Sequence, residues 1–186
     1  MKVLLVDNFD SFTFNLFHLL EGIGVEVVVK RNNELSDTDL IDCDKIILSP
    51  GPGIPSEAEG MIRVIEKMHL NKPILGVCLG MQALAEFFGD SIYNLPKVYH
   101  GVQKKIHIHS SKDLFEGVEL CTNVALYHSW AVRLGDKSSL IPLAYSEDNI
   151  LMSFKHKEFP IYGIQFHPES ILTDKGREIL TNFIEL

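Results

Sequence analysis

Cys78 stands between two glycines, in Gly76-Val-Cys-Leu-Gly80, where the apolar run PILGV gives way to the helix-like run LGMQALAEFF. A buried filler thiol needs no such neighbours. A nucleophile does. In a Gly-x-nucleophile-x-Gly elbow, a tight, strained turn between strand and helix presents the reactive atom, and small flanking residues let other backbone come close. The spacing therefore places Cys78 in an accessible strained turn. The positive end of the following helix favours negative charge on sulfur, and a nearby imidazolium adds to that. The free amides at the helix start, Leu79 first, can stabilise charge on a substrate oxygen.

A base is available near the other end of the chain, in IYGIQFHPES. Residues two apart in an extended segment project to the same side, so His167 and Glu169 share a face. Pro168 between them biases His167 towards extended geometry. A carboxylate so placed holds an imidazole in one tautomer and stabilises its protonated form. Ser-Pro-Gly-Pro-Gly, residues 49 to 53, adds two glycines, Gly51 and Gly53, whose backbone amides can point into a site without an intervening side chain. Gln82, four residues after Cys78, lies one turn further along the same helix face.

Other reactive side chains fit blander roles. Cys43 and Cys121 have no glycine framing and read as buried filler. His107 and His109 have a spacing that suits a metal. No further Cys, His or carboxylate cluster accompanies them, so they read as two exposed histidines on a strand face, and no metal is expected. Asp10 and Ser11 are N-cap candidates for the first helix, in a loop that also holds Asp7. His128 reads as structural, and Trp130, the only tryptophan, as core or rim packing.

The elements that must position these residues alternate. KVLLVD, VEVVV, KIILS and PILGVC are strand-like apolar runs. Helical patterns follow the first in SFTFNLFHLLEGIG, the third in EAEGMIRVIEKMHL and the fourth in LGMQALAEFF. That tempo predicts an α/β fold: an open, mostly parallel sheet with helices on both faces and Cys78 beyond a strand's carboxyl end, where ligands gather. From about Val98 the segments KKIHIHS, NVALYHSW, IPLAYSED, ILMSFKH and IYGIQFH are short and β-branched. They predict further, partly antiparallel strands, a mixed sheet, before a last helix in DKGREILTNFIEL. No repeat or linker divides the 186 residues, so one domain over 1–186 is expected.

Composition narrows the function. A net charge of −8 argues against a nucleic-acid surface. Met1 and Lys2 run straight into VLLV, and no apolar stretch is long enough to cross a bilayer. A cytoplasmic protein with reduced thiols and no membrane association is expected.

Together these residues resemble a family, the class I (triad) glutamine amidotransferases, along nearly the whole chain. DNFDSFTFNL (7–16), LSPGPGIPSEAEG (48–60), GVCLGMQAL (76–84), YHG (99–101), YHSW (127–130) and GIQFHPESILTDKG (163–176) fall in the family's order. The ends DNFDSFT and HPESILT are similar to the branch of glutaminase subunits that serve anthranilate and aminodeoxychorismate synthases. The resemblance implies a flavodoxin-like glutaminase fold of nucleophile-elbow type, with Cys78, His167 and Glu169 as the catalytic triad. It also implies an oxyanion hole from the backbone N–H groups of Leu79 and Gly53. Gly51, Gly53, Gln82, Ser129 and Trp130 would hold L-glutamine, and no cofactor is implied in this chain. The partner implied is a chorismate-binding synthase subunit that receives ammonia in a hetero-oligomer. The YHG segment departs from the branch, because Val102 stands where a lysine is expected. An amidotransferase subunit for another acceptor, such as a nucleotide, and a stand-alone cysteine hydrolase of γ-glutamyl or peptide bonds are the competing enzyme readings. A scaffolding module with a relic site is the non-enzymatic one.

Overall fold

The computed structural model describes all 186 residues. The apolar run at the start forms β1 (Lys2–Asp7), which pairs in parallel with β2 (Glu26–Arg31) and with β3 (Lys45–Leu48). β4 (Ile74–Val77) continues the parallel order beyond β3, and β11 (Ile161–Ile164) beyond β4. From β11 the sheet turns antiparallel, through β10 (Leu151–His156), β9 (Leu140–Ser146), β6 (Val102–Ile108) and β7 (Cys121–Leu126). The result is one nine-stranded mixed sheet in the order β2-β1-β3-β4-β11-β10-β9-β6-β7. β4 is buried along its whole length between β3 and β11.

Period-two geometry assigns the side chains of β1 to two cores. Val3 and Leu5 pack on one face with Leu16 and Leu20 of α1 (Thr13–Ile23) and with Ile179, Leu180 and Phe183 of α5 (Gly176–Glu185). Leu4 and Val6 pack on the other with Met61, Val64 and Ile65 of α3 (Glu59–Met68) and Met81, Ala83 and Leu84 of α4 (Leu79–Phe87). Each fully buried aliphatic side chain contributes on the order of 1.5–3 kcal/mol, so both helix layers are firmly docked. Helices on both faces and a mixed sheet are what the alternation in the sequence implied.

The details depart from the sequence pattern in four places. α1 starts at Thr13 with Phe12 at its N-cap and no side-chain cap. The Asp10 carboxylate instead accepts the Phe12 N–H at 2.7 Å, and Asp7 accepts the Asp10 N–H and the Thr13 hydroxyl. A five-residue α2 (Asp37–Ile41) forms between β2 and β3, closed by a reciprocal capping box of Ser36 and Asp39. The run NVALYHSW is not one strand. It breaks at Tyr127–Ser129, and its end forms β8 (Trp130–Arg133), which pairs with β5 (Ser91–Asn94) in a separate two-stranded sheet. Cys121 is exposed at the start of β7, whereas Cys43 is buried as expected. His107 and His109 are exposed, and no group of three or more metal-ligating side chains exists.

No helix is long and apolar enough to cross a membrane.

Candidate active site

The glycines around Cys78 are required by packing. A Cβ on Gly80 would lie 2.5 Å from the Leu48 carbonyl oxygen of β3, and one on Gly76 would overlap the backbone of Gly80. Helix α4 therefore presses against the ends of β3 and β4 with backbone alone between them. At the join, Cys78 takes φ 51° and ψ −101° as the N-cap of α4, and no side chain caps the helix. Such a backbone costs of order 1–3 kcal/mol for a residue with a side chain. It persists because the turn is pinned. The Cys78 N–H donates to the Ile164 carbonyl at 2.8 Å, and its carbonyl accepts the Gln82 N–H at 3.1 Å. As the first helical residue, Leu79 has an N–H with no intrahelical partner. The strained turn expected from the sequence is present. The thiol is less open than expected, with 6% of the residue exposed.

Two cavities meet at Cys78. The first, of about 200 Å³, is lined by Gly51, Gly53, Leu79, Gln82, Ser129 and Trp130, together with Pro52, Tyr127 and His128. All the residues singled out for glutamine binding thus share one cavity with the thiol. The second is lined by Cys78 and His167, with Phe9, Asp10, Phe12, His100 and Tyr127 among its walls. Cys78 lines both cavities, together with Gly51, Pro52 and Tyr127, and His167 lines the second.

His167 follows β11, and its backbone is tied to β7. Its N–H donates to the Ala125 carbonyl at 3.0 Å, and its carbonyl accepts the Thr173 hydroxyl at 2.6 Å. Thr173 Oγ1 in turn accepts the Ala125 N–H at 2.9 Å, which closes the clamp. The ring Nδ1 pairs with Glu169 Oε1 at 2.6 Å, and both side chains are buried. That pairing leaves Nε2 as the ring nitrogen without a partner. Burial opposes protonation of this imidazole. The Cys78 sulfur and the Glu169 carboxylate outweigh it and raise the group well above its usual 6.5. Tyr127 packs edge-on to the ring at 4.9 Å, and Phe12 does so at 6.1 Å.

His128, on the other side of the first cavity, has the opposite environment. Burial lowers it to about 4, with its Nδ1 against the Trp130 carbonyl at 2.8 Å. It is a neutral ring whose Nδ1–H donates to that carbonyl. Tyr99 stacks on it with ring centres 5.5 Å apart. Tyr99 is buried and its N–H donates to the His128 carbonyl, so the YHG segment braces this corner from inside. His100 opens onto the second cavity.

The glycine-proline loop is held from below by residues the sequence pattern did not single out. Asn8, buried after β1, receives the Asn32 amide on Oδ1. It donates its own N–H to Ser49 Oγ at 2.9 Å and its side-chain amide to the Ser49 carbonyl at 3.0 Å. Gly53 has φ 75°, and Glu57 Oε2 accepts the Ile54 N–H beside it. Gln165, hidden in the apolar run IYGIQF, is fully buried. Its Nε2 donates to Cys78 Sγ at 3.5 Å, and its Oε1 accepts from Gln82 Nε2 at 3.2 Å. A polar residue inside an apolar strand run, two positions before a histidine, was the available signal.

Comparisons with known proteins place the chain as a whole among relatives. A profile of the family described as "Glutamine amidotransferase class-I" matches residues 4–186. Anthranilate synthase component 2 of Thermus thermophilus is 40% identical over 190 residues, covering 100% of this chain and 92% of that protein. Aminodeoxychorismate synthase component 2 of Escherichia coli is 40% identical over 185 residues, covering 98% of each chain. Among solved structures, a protein of Thermoplasma acidophilum assigned to GMP synthase superposes with a TM-score of 0.89. It is 29% identical, with 100% of this chain and 92% of that one covered.

Proposed function

The chain belongs to the class-I glutamine amidotransferases, and on that premise we propose that it hydrolyses L-glutamine at Cys78 and hands the ammonia to a chorismate-using synthase subunit. The observation that carries the reading is the strained Cys78 elbow sharing a cavity with a buried His167–Glu169 pair.

The raised His167 supports an imidazolium standing beside the Cys78 sulfur. The Cys78 sulfur attacks the carboxamide carbon of glutamine, and the carbonyl oxygen takes the negative charge. The N–H groups of Leu79 and Gly53 receive that oxyanion, each such donor contributing on the order of 10²–10³ in rate. His167 Nε2 gives its proton to the departing amine, so ammonia leaves and a glutamyl thioester remains. The neutral Nε2 then takes a proton from water. The resulting hydroxide attacks the thioester, glutamate departs, and the imidazolium beside the freed sulfur is restored. Glu169 holds Nδ1–H throughout, which keeps Nε2 aimed at the chemistry.

A cavity of about 200 Å³ suits one amino acid and falls below the roughly 300–1,000 Å³ of larger ligand sites. That favours glutamine over a peptide substrate. Relatives named as second components of anthranilate and aminodeoxychorismate synthases support a chorismate-binding partner in a hetero-oligomer. Exposed Phe9 at the mouth of the second cavity, and Ile171 just past Glu169, give that partner apolar contact points. The kinship with the GMP synthase protein keeps a nucleotide acceptor as the second reading.

The test is glutamine hydrolysis by the purified chain, alone and with a chorismate-using synthase subunit plus chorismate. The reading expects weak activity alone and a rise with both present. Full activity alone, unaffected by the synthase, would overturn the partner assignment. Stimulation by a nucleotide synthetase instead would move the acceptor to the second reading.

A further inference from the structure

Gln165 touches the sulfur, and nothing in the mechanism above uses it. It is one link in a chain of three polar groups with a fixed sense. The Trp130 carbonyl can only accept, and it accepts from Gln82 Nε2 at 3.1 Å. Gln82 must therefore turn its amino group that way, and the same amino group faces Gln165 at 3.2 Å. Gln165 must then present its oxygen to Gln82, which turns its own amino group to Cys78 Sγ at 3.5 Å. Both amides are buried, Gln165 completely and Gln82 to 3% exposure, so water does not compete for these bonds. Flipping either amide would set oxygen against oxygen or amino group against amino group in a dry site, which buried polar groups do not tolerate.

We propose that Gln165 is a positioning residue that links the amino-acid-binding side of the cavity to the nucleophile. Its Nε2–H donates to the Cys78 sulfur and stabilises negative charge there, and its Oε1 locks the amide of Gln82. With both Gln82 amino hydrogens engaged, Gln82 Oε1 is left without a protein partner on a residue lining the substrate cavity. A carbonyl oxygen there accepts from a cationic donor such as the α-ammonium group of an amino acid. Hydrogen bonds in series polarise one another in the same sense, so a cation on Gln82 Oε1 strengthens the donor that Gln165 offers to sulfur. A single rigid relay thereby serves substrate recognition and nucleophile activation together.

This rests on the reading of Cys78 as the nucleophile, and the test separates the two. Alkylation by iodoacetamide is followed on the Cys78 peptide by mass spectrometry in the full-length chain, because the exposed Cys121 will react too. It needs no glutamine, partner or turnover. Gln165→Met removes both bonds at similar volume. Alkylation of Cys78 should slow about tenfold, the effect of losing one hydrogen bond to a charged atom, and KM for glutamine should rise. Gln165→Glu at pH 8 keeps an acceptor for Gln82 but offers no donor to sulfur. It should slow alkylation at least as much, because its carboxylate also repels negative charge on sulfur, while leaving KM within about twofold of wild type, a split expected from the separate hydrogen-bond ends. This second variant decides the matter if Gln165→Met does not fold. Alkylation unchanged in a folded variant overturns the proposal, and so does a KM that rises in Gln165→Glu as far as in Gln165→Met. Wild-type Cys78 that alkylates normally in a chain that never hydrolyses glutamine would instead sink the functional reading.

Discussion

Two histidines reach the same pair of cavities from different corners of the sheet, and their surroundings give them opposite characters. His167, on the strap after β11, has a carboxylate on Nδ1 and a sulfur close by, and both favour its charged form. His128, on the corner after β7, has a backbone carbonyl on Nδ1, and burial drives it neutral at about 4. Both rings are buried and both have an unpartnered Nε2. Exposure and proximity to the site therefore do not distinguish them. The charge beside the ring does: the anionic carboxylate and the sulfur offset the cost of burying an imidazolium at His167, whereas at His128 the neutral carbonyl, though it also favours the proton, does not overcome burial.

The largest effect that can break this comparison comes from the atom on Nδ1. Glu169→Gln should lower kcat for glutamine hydrolysis on the order of 10³–10⁴-fold, as loss of the orienting carboxylate does in hydrolase triads. His128→Asn keeps a donor for the Trp130 carbonyl and should cost less than about fivefold, since no reacting group loses a partner. Steady-state kinetics of the two variants read the contrast directly, and equal losses would erase it.

A smaller effect sharpens the role of the glycine-proline loop between them. Gly53→Ala forces a side chain into φ 75° and onto the Glu57 carboxylate, displacing the amide proposed for the oxyanion. A fall in kcat of roughly 10²–10³-fold is expected, with KM less affected, as for loss of one oxyanion donor.

The smallest effects are on stability, and the two histidines give them opposite signs. The unfolded chain binds a proton at His128 near 6.5, whereas the folded chain binds it only at about 4. Stability therefore falls as pH drops from 6.5 towards 4, by up to about 3 kcal/mol from this group. His128→Asn should flatten that acid limb in urea titrations at pH 7 and pH 5. His167 is raised, so its contribution is fully present below about 6.5 and is lost as pH rises through its folded value. His167→Asn should flatten the alkaline limb between pH 7 and pH 9, and a limb that keeps its slope in either variant would contradict the assigned environment.

What could be read from sequence followed how local its cause was. The strands β1 to β4 and the helices α1, α3 and α4 are written in unbroken apolar runs and three-to-four spacing, which need no knowledge of neighbours. The framing of Cys78 by Gly76 and Gly80 was legible for the same reason, and its cause proved to be the contact of α4 with β3 and β4. The pairing of His167 with Glu169 was legible because they stand two residues apart, although the segment turns at Pro168–Glu169, with the Ser170 N–H on the His167 carbonyl, instead of running extended as expected. The bend at Tyr127–Ser129 was not, because it depends on β8 leaving the main sheet for β5 and on Tyr99 stacking from another segment. Gln165 was hidden by its apolar neighbours, since its partners lie 83 and 87 residues away in sequence. The α2 helix had a local signal, the Ser36–Asp39 capping box, but only five residues follow the cap, too few for a periodic pattern.

The central claim is that Cys78 does the chemistry of ammonia release and nothing else in the assembly requires it. Cys78→Ser in the reconstituted complex with a chorismate-using synthase subunit tests this with two nitrogen sources. With glutamine, product formation should be abolished. With added ammonia it should proceed at the wild-type rate, because the acceptor chemistry lies in the partner. Loss of both activities in a folded complex would show that Cys78 serves assembly, and retention of the glutamine-dependent rate would remove it from the mechanism.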